Sequence, residues 1–112
     1  MEYDIEIDLE KEFNGRLKQL TQRKKEAYAF LEAADAFMSF SEICRRSGIS
    51  QSTLINLRYF LDCYHKLATI AIGDRIYFCL ASRKDSISKV VLNNGGEAIE
   101  FPKSVLKKLL EK

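Results

Sequence analysis

The most informative pattern in this sequence lies at residues 39–61. It consists of two short helical segments with a glycine between them, and few folds accommodate it. Ser39 begins a Ser-Phe-Ser-Glu motif, the capping box that opens a helix, and Ser50 suits the N-cap of a second helix. Between them, Gly48 can take the left-handed conformation in which a chain leaves a helix and turns sharply. The pattern therefore predicts two helices held at a fixed angle by a tight turn.

The apolar residues around this turn have the spacing that such a pair of helices needs. A small residue, Cys44, stands where the two helices would cross, and Ile49 can fill the space beneath the turn. Ile43 can anchor the first helix in a core. The second helix should bury one face, formed by Leu54, Leu57, Leu61 and Tyr64.

The segments on either side of the two helices also have clear patterns. Upstream, Thr21 suits the N-cap of a helix over residues 21–37. Downstream, two apolar runs at 67–72 and 75–81 flank Gly73-Asp74, which suits the two-residue turn of a β-hairpin. The upstream helix would bury Ala27, Phe30, Leu31 and Ala34 on one face.

The segment from Ser41 to Leu61 resembles the winged helix-turn-helix regulators of bacteria and archaea. Its turn and its Ser50-Gln51-Ser52-Thr53 opening are similar to those of the ArsR and MarR superfamily, and the hairpin follows where that family has its wing. The resemblance covers residues 21–81. It implies an α+β fold in one domain, 1–112, with a helix-turn-helix at 39–65, a wing at 67–81, and extensions at 1–20 and 82–112.

The resemblance also implies a function, sequence-specific binding of double-stranded DNA by a transcriptional regulator. The second helix would enter the major groove, where Gln and Asn can bond adenine and an isoleucine can meet a thymine methyl. The base-reading residues would be Gln51, Ser52, Ile55, Asn56 and Tyr59. Phosphate contacts would come from Arg45, Arg46, Ser50 and Thr53, and Arg75 at the wing tip would reach phosphate or the minor groove.

We expect a homodimer, because a twofold axis would place two such helices in grooves one turn apart, about 34–36 Å. Apolar residues outside 21–81 could form its interface, or they could instead cover the chain's own core. The rival function is a protein–protein interaction module with the same fold and no DNA binding, favoured by the apolar Ile55 and Tyr59. The interface candidates are Leu9, Phe13, Leu17, Leu20, Val90, Val91, Leu106, Leu109 and Leu110.

The two ends of the chain carry weaker patterns. Residues 2–10 alternate strictly between apolar and acidic, which predicts a short strand with a negative outer face. This strand could be a charge-protected sheet edge, or it could fold over the basic face. Residues 82–92 suggest a helix, which we favour, although 89–92 could instead pair with 97–101. After Pro102, a short basic amphipathic helix is expected.

Charge and composition limit the other possibilities. The net charge of +2 conceals five acids at 2–10, so residues 11–112 carry 11 acidic against 18 basic residues, a balance of +7 that suits a polyanionic partner. No apolar stretch is long enough to span a membrane, and the N-terminus lacks a signal-peptide pattern, so we expect a cytoplasmic protein. The resemblance leaves open whether the source is a cell, a plasmid or a virus, although small regulators of this form are common among archaeal mobile elements.

No cofactor, metal or catalytic site is expected. Cys63 and His65 are two residues apart on a predicted helix and therefore point in different directions, which argues against a shared metal ion. No nucleophile motif or phosphate-binding glycine loop is present, so an enzyme is not expected. The three cysteines, Cys44, Cys63 and Cys79, should be small buried hydrophobes, although a ligand- or redox-responsive sensor remains open.

Overall fold

The computed structural model describes residues 2–111, with residues 2–7 described as backbone only. The described chain forms five α-helices and a five-stranded mixed sheet, an α+β architecture. The helices are α1 (Glu2–Lys18), α2 (Gln22–Ala33), α3 (Phe40–Ser47), α4 (Gln51–Cys63) and α5 (Lys103–Leu110). The strands are β1 (Ala36–Ser39), β2 (Leu67–Ile72), β3 (Arg75–Leu80), β4 (Lys89–Val90) and β5 (Ile99–Glu100).

The sheet has the order β2-β3-β1-β4-β5, and its two faces carry separate cores. Strand β1 runs antiparallel to β3 and parallel to β4. Side chains alternate across β1, so Met38 joins the core under α1–α4, while Phe37 joins the core under α5. The sheet therefore separates the helical layer from the C-terminal helix.

Local capping explains why α3 and α4 begin and end where they do. The hydroxyl of Ser39 accepts a hydrogen bond from the backbone N–H of Glu42, and that of Ser50 accepts one from Thr53. Gly48 ends α3 with φ 73°, and its N–H donates to the carbonyl oxygen of Cys44 at 3.0 Å. Both predicted caps and the predicted glycine turn are confirmed.

The predicted hairpin is confirmed in its strands and its turn. Strands β2 and β3 pair from Leu67 opposite Leu80 to Ile72 opposite Arg75, leaving a two-residue loop. Gly73 has φ 64°, which suits a glycine in a tight hairpin turn. Strand β3 is therefore flanked by β2 on one side and by β1 on the other.

The predicted helix over 21–37 is confirmed at its start and wrong at its end. The hydroxyl of Thr21 caps α2, but the helix ends at Ala33 and β1 begins at Ala36. Residues 36–39 are a strand because they fit a space between β3 and β4, where their alternate side chains reach both cores.

The predicted N-terminal strand is wrong, because residues 2–18 form helix α1. Phe13 forms a cluster with two aromatic rings, stacked on Phe60 and tilted against Tyr64, with both centroid distances 5.4 Å. Leu17 and Leu20 also pack on this core, and this spacing of four and then three residues places Phe13, Leu17 and Leu20 on one side of a helix but on both sides of a strand. The side chains of Tyr3, Ile5 and Ile7, on which the strand pattern depends, lie outside the described residues.

The favoured helix over 82–92 is also wrong, and the alternative pairing is confirmed. After a short 3-10 turn at Ala81–Arg83, β4 pairs with β5, with Lys89 opposite Glu100. Val90 lies in one core and Val91 in the other. Consecutive side chains reach opposite faces in an extended chain but not in a helix, so the two cores select the strand. The helix after Pro102 is confirmed as α5.

Most of the apolar residues suggested for a dimer interface are instead covered by the chain itself. Phe13, Val91 and Leu106 are buried in the two cores, whereas Leu9 keeps 48% of its surface exposed. The alternative, that these segments cover their own core, is the one that the structure supports. Among residues 2–111, no helix combines the length and apolar character needed to cross a membrane.

Candidate nucleic-acid interface

Helix α4 presents a continuous exposed face on the side opposite its buried leucines. Leu54, Leu57 and Leu61 are 4% exposed or less, so the position of the helix on the core is fixed. Tyr59 is 67% exposed and Ile55 is 42% exposed, so this face combines apolar with polar side chains. The structure brings together five predicted base-reading residues on this face: Gln51, Ser52, Ile55, Asn56 and Tyr59.

At the start of α4, two predicted phosphate-contacting hydroxyls are engaged within the chain. The hydroxyl of Ser50 accepts from the N–H of Thr53 at 3.3 Å and donates to the Thr53 hydroxyl oxygen at 3.0 Å. These bonds cap the helix. The first turn of α4 has no acidic residue, so the partial positive charge of the helix end is uncompensated within that turn.

Arg45 and Arg46, both predicted to contact phosphate, are held by Glu42. Arg45 donates two hydrogen bonds to the carboxylate, at 2.9 and 2.7 Å, and Arg46 donates a third. The N–H of Gly95 donates a fourth at 2.9 Å, and Arg46 also donates to the Gly96 carbonyl oxygen at 3.0 Å. The carboxylate compensates one of the two positive charges, and the cluster joins α3 to the loop between β4 and β5.

Glu42 is fully buried, and the hydrogen-bond donors around it keep it ionised. The hydrogen bonds from Arg45 are the largest influence and, with those from Arg46 and Gly95, lower the pKa of Glu42 to about 2. Burial alone would raise this pKa, so the donors outweigh desolvation. In the predicted capping box the Glu42 side chain would reach back to the start of α3, but it binds these arginines instead.

A groove separates the hairpin from the start of α3, with a volume of about 520 Å³. Arg75 lies exposed at the start of β3, as predicted, and lines one side of this groove. Arg58 of α4 lies at another side, with its guanidinium 4.8 Å from the centroid of the Phe78 ring. The remaining lining residues are Ser39, Phe40, Ser41, Asp74, Ile76 and Asn94.

Three polar residues near this surface were missed in the sequence. Arg58 lies between the buried and exposed faces of α4, beside Asp62 at 3.6 Å, so helical periodicity alone did not place it. Arg23 of α2 donates to the Gly48 carbonyl oxygen at 3.1 Å, beside the helix turn. Asn94 donates to the Ser41 hydroxyl at 2.7 Å. Neither of the last two contacts has a local signal, because their partners are distant in sequence.

The cysteines are free thiols in three different environments. Cys79 is buried, and desolvation raises its pKa to about 12, so its thiol stays protonated. Cys44 is half-buried, and burial raises its pKa as well. Cys63 is exposed, so the expectation that all three are buried is wrong for this residue. Within residues 2–111, no three His, Cys, Asp or Glu side chains are grouped closely enough to hold a metal ion.

Comparisons of this chain with family models, with curated proteins and with solved structures find no match. A functional proposal therefore rests on the chain's own residues and their arrangement.

Proposed function

We propose that this chain is a winged helix-turn-helix protein that binds double-stranded DNA in a sequence-specific manner. The element order supports this fold: α2, β1, α3, α4, then the β2–β3 hairpin, with β1 paired to β3. In this proposal α3 and α4 are the helix-turn-helix, α4 is the recognition helix, and the hairpin is the wing.

The main support for this proposal is the exposed face of α4, which presents polar side chains beside the hairpin. Gln51 and Asn56 would bond base edges, each good bidentate pair giving about 1–3 kcal/mol of discrimination against a wrong base. Ile55 would meet a thymine methyl group, and Tyr59 would lie at the rim of the contact. Ser52 is exposed beside Gln51 at the start of the helix.

Phosphate contacts would come from arginines on several elements around α4. Arg75 of the hairpin and Arg58 of α4 both line the groove beside α3, and Arg23 lies next to the Gly48 turn. Arg45 and Arg46 would contribute less than free arginines, because Glu42 already accepts their hydrogen bonds. Backbone N–H groups at the start of α4 would add to them, with Ser50 and Thr53 acting through the cap.

The proposal includes a homodimer that acts as a transcriptional regulator in the cytoplasm, with no enzymatic activity and no cofactor. A twofold dimer would recognise a palindrome by placing one recognition helix in each half-site. Its interface would use surfaces other than the apolar residues that already lie inside the two cores.

The test is selection from a pool of random duplex DNA at two salt concentrations, followed by sequencing of the retained fraction. We expect an enriched palindrome and an affinity that falls steeply as salt rises. The double variant Gln51→Ala/Asn56→Ala should lose at least tenfold in affinity for the enriched site. The matched control, Asn14→Ala/Gln19→Ala, removes the same two side-chain types from exposed positions of the N-terminal region and should bind normally. Retention of full affinity by the first variant would contradict the proposal.

Exposed apolar side chains favour a second candidate function, a protein-binding module. Ile76 of the hairpin is 50% exposed, and Ile55 and Tyr59 of α4 are exposed as well, so the two elements present three large apolar side chains to solvent. Aromatic residues of this kind are typical anchors of protein interfaces. Absence of any DNA binding at low salt, with the fold intact, would favour this alternative.

A further inference from the structure

A second cleft lies on the opposite side of the sheet from the exposed face of α4. It has a volume of about 260 Å³ and lies between α5 and the segment that follows the 3-10 turn. Its floor is apolar: Ile87 and Leu106 belong to the core under α5, and Leu110 is partly buried against the same core. The size is close to the lower end of ordinary small-ligand pockets, about 300 Å³.

The rim of this cleft is rich in positive charge. Lys103 and Lys107 are four residues apart on α5, so their ammonium groups lie on the same side of the helix and repel each other. Lys84 approaches from the other side, and Asp85 is the single acid among the lining residues. Within the described part of the chain, none of these four side chains forms a salt bridge.

The start of α5 adds to this positive field. Its first turn has no acidic residue and contains Lys103, although a negative group is the favourable one at this end of a helix. In the described structure no side chain caps the helix, and its N-cap residue is Pro102. Three lysines against one aspartate around an apolar floor therefore leave an excess of positive charge that an anion would neutralise.

We propose that this cleft binds a small amphipathic anion, with a carboxylate or phosphate headgroup on a short apolar body. Lys84, Lys103 and Lys107 would surround the headgroup, and the apolar body would rest on Leu106 and Leu110. Lysine ammonium groups on flexible stems suit either headgroup, because they act as point charges rather than as planar forks. The site does not depend on DNA binding, since it lies on another face of the molecule.

The test uses the full chain without DNA and follows backbone amide shifts in NMR spectra during titration. The probes are octanoate and octyl phosphate below their micelle concentrations, with octylammonium and inorganic phosphate as charge and apolar controls. We expect saturable shifts confined to residues 84–87 and 103–110 with one or both amphipathic anions, and the stronger of the two identifies the headgroup. Equal binding of octylammonium, equal binding of inorganic phosphate, or no saturable shift in these segments would overturn the proposal.

Charge-reversal variants distinguish binding of the anion in this cleft from a general electrostatic attraction of the anion to the protein. Lys103→Glu/Lys107→Glu should weaken binding of the preferred anion at least tenfold, and Lys84→Glu should weaken it from the other side of the cleft without altering α5. The control Lys11→Glu/Lys18→Glu makes the same change of net charge on exposed positions of α1 and should bind normally. Equal losses in the cleft variant and the α1 variant would mean long-range attraction only, and the site would be rejected.

Discussion

Helices α3 and α4, on the one hand, and the β4–β5 hairpin, on the other, are held in place by interactions of very different range along the chain. Each helix begins at a serine whose hydroxyl accepts from an N–H three residues further along the chain. The loop of the β4–β5 hairpin is held instead by Glu42, which lies 53 residues before Gly95. Helix α1 also depends on a partner that is distant in sequence, because its buried residue Phe13 packs on the ring of Phe60 in α4.

This difference shows where the fold depends on local and where on distant partners. Locally specified helices should tolerate loss of a distant contact, whereas α1 and the 93–96 loop should detach when one side chain is removed. Variants that remove a distant anchor are therefore expected to have larger effects than variants that alter a local turn. Three predictions test that ranking.

The largest effect is expected for Phe13→Ala. The substitution removes a buried ring that contacts Phe60 and Tyr64, and large-to-small changes of this kind cost about 3–5 kcal/mol. Urea denaturation measures the loss in the free energy of unfolding, and circular dichroism should show a loss of helix from α1. The control Leu9→Ala lies on the same helix, half-exposed, and should change the free energy by less than about 0.5 kcal/mol. Similar losses in both variants would show that α1 is not anchored through Phe13.

Glu42→Gln is expected to lower the free energy of unfolding by a smaller amount, about 3 kcal/mol at neutral pH. The neutral amide cannot replace the ionised carboxylate as acceptor for Arg45, Arg46 and Gly95. Folding lowers the pKa of Glu42 from 4.5 to about 2, so its stabilising effect is complete above pH 4.5. The effect is lost as pH falls towards 2. The difference between wild type and variant, measured by urea denaturation, should therefore shrink between pH 4.5 and 2.

A control variant and the pH dependence of the loss both test this prediction. The control Glu12→Gln removes an exposed carboxylate that pairs with Arg16 at 3.5 Å, and it should cost less than about 1 kcal/mol at any pH. A pH-independent loss in Glu42→Gln would show that the carboxylate acts through shape rather than charge.

The smallest effects, of opposite sign, are expected at two glycines. Gly48→Ala should destabilise the protein by about 1–2 kcal/mol, because φ 73° is a left-handed conformation that disfavours a Cβ. Gly15→Ala should stabilise it by about 0.5–1 kcal/mol, because Gly15 lies inside α1 and a Cβ there meets no atom within 4 Å. Thermal denaturation of both variants checks the signs, and a gain in stability at Gly48 would contradict the left-handed turn.

Sequence patterns predicted the middle of the fold well for a physical reason. The caps at Thr21, Ser39 and Ser50 and the turn at Gly48 act within four residues, so their signals are complete in a short window. The β2–β3 register likewise follows from a two-residue loop at Gly73. The exposed face of α4 could be predicted for the same reason, because it is the complement of a regular apolar spacing.

The candidate site was less predictable wherever its contacts cross between elements. Arg45 and Arg46 were expected to be free for phosphate, but a buried acid and a distant loop take up several of their donors. Arg58 and Asn94 line the groove beside the hairpin, and their position depends on how α4 approaches β3 and how the 93–96 loop approaches the start of α3. No pattern of spacing within one helix contains that information.

By itself the sequence determined the local elements of residues 21–81, from the cap at Thr21 to the hairpin turn at Gly73-Asp74, apart from strand β1. The tertiary structure decided the conformation of residues 2–18 and 82–101, whose apolar spacing fits more than one period. It made 2–18 a helix because Phe13, Leu17 and the following Leu20 meet the same core at a helical spacing, and it made 89–90 a strand because Val90 and Val91 enter opposite cores. A short amphipathic segment becomes a helix or a strand according to which of the two turns its apolar residues towards the surface on which it packs. That surface exists only after the distant parts of the chain have come together.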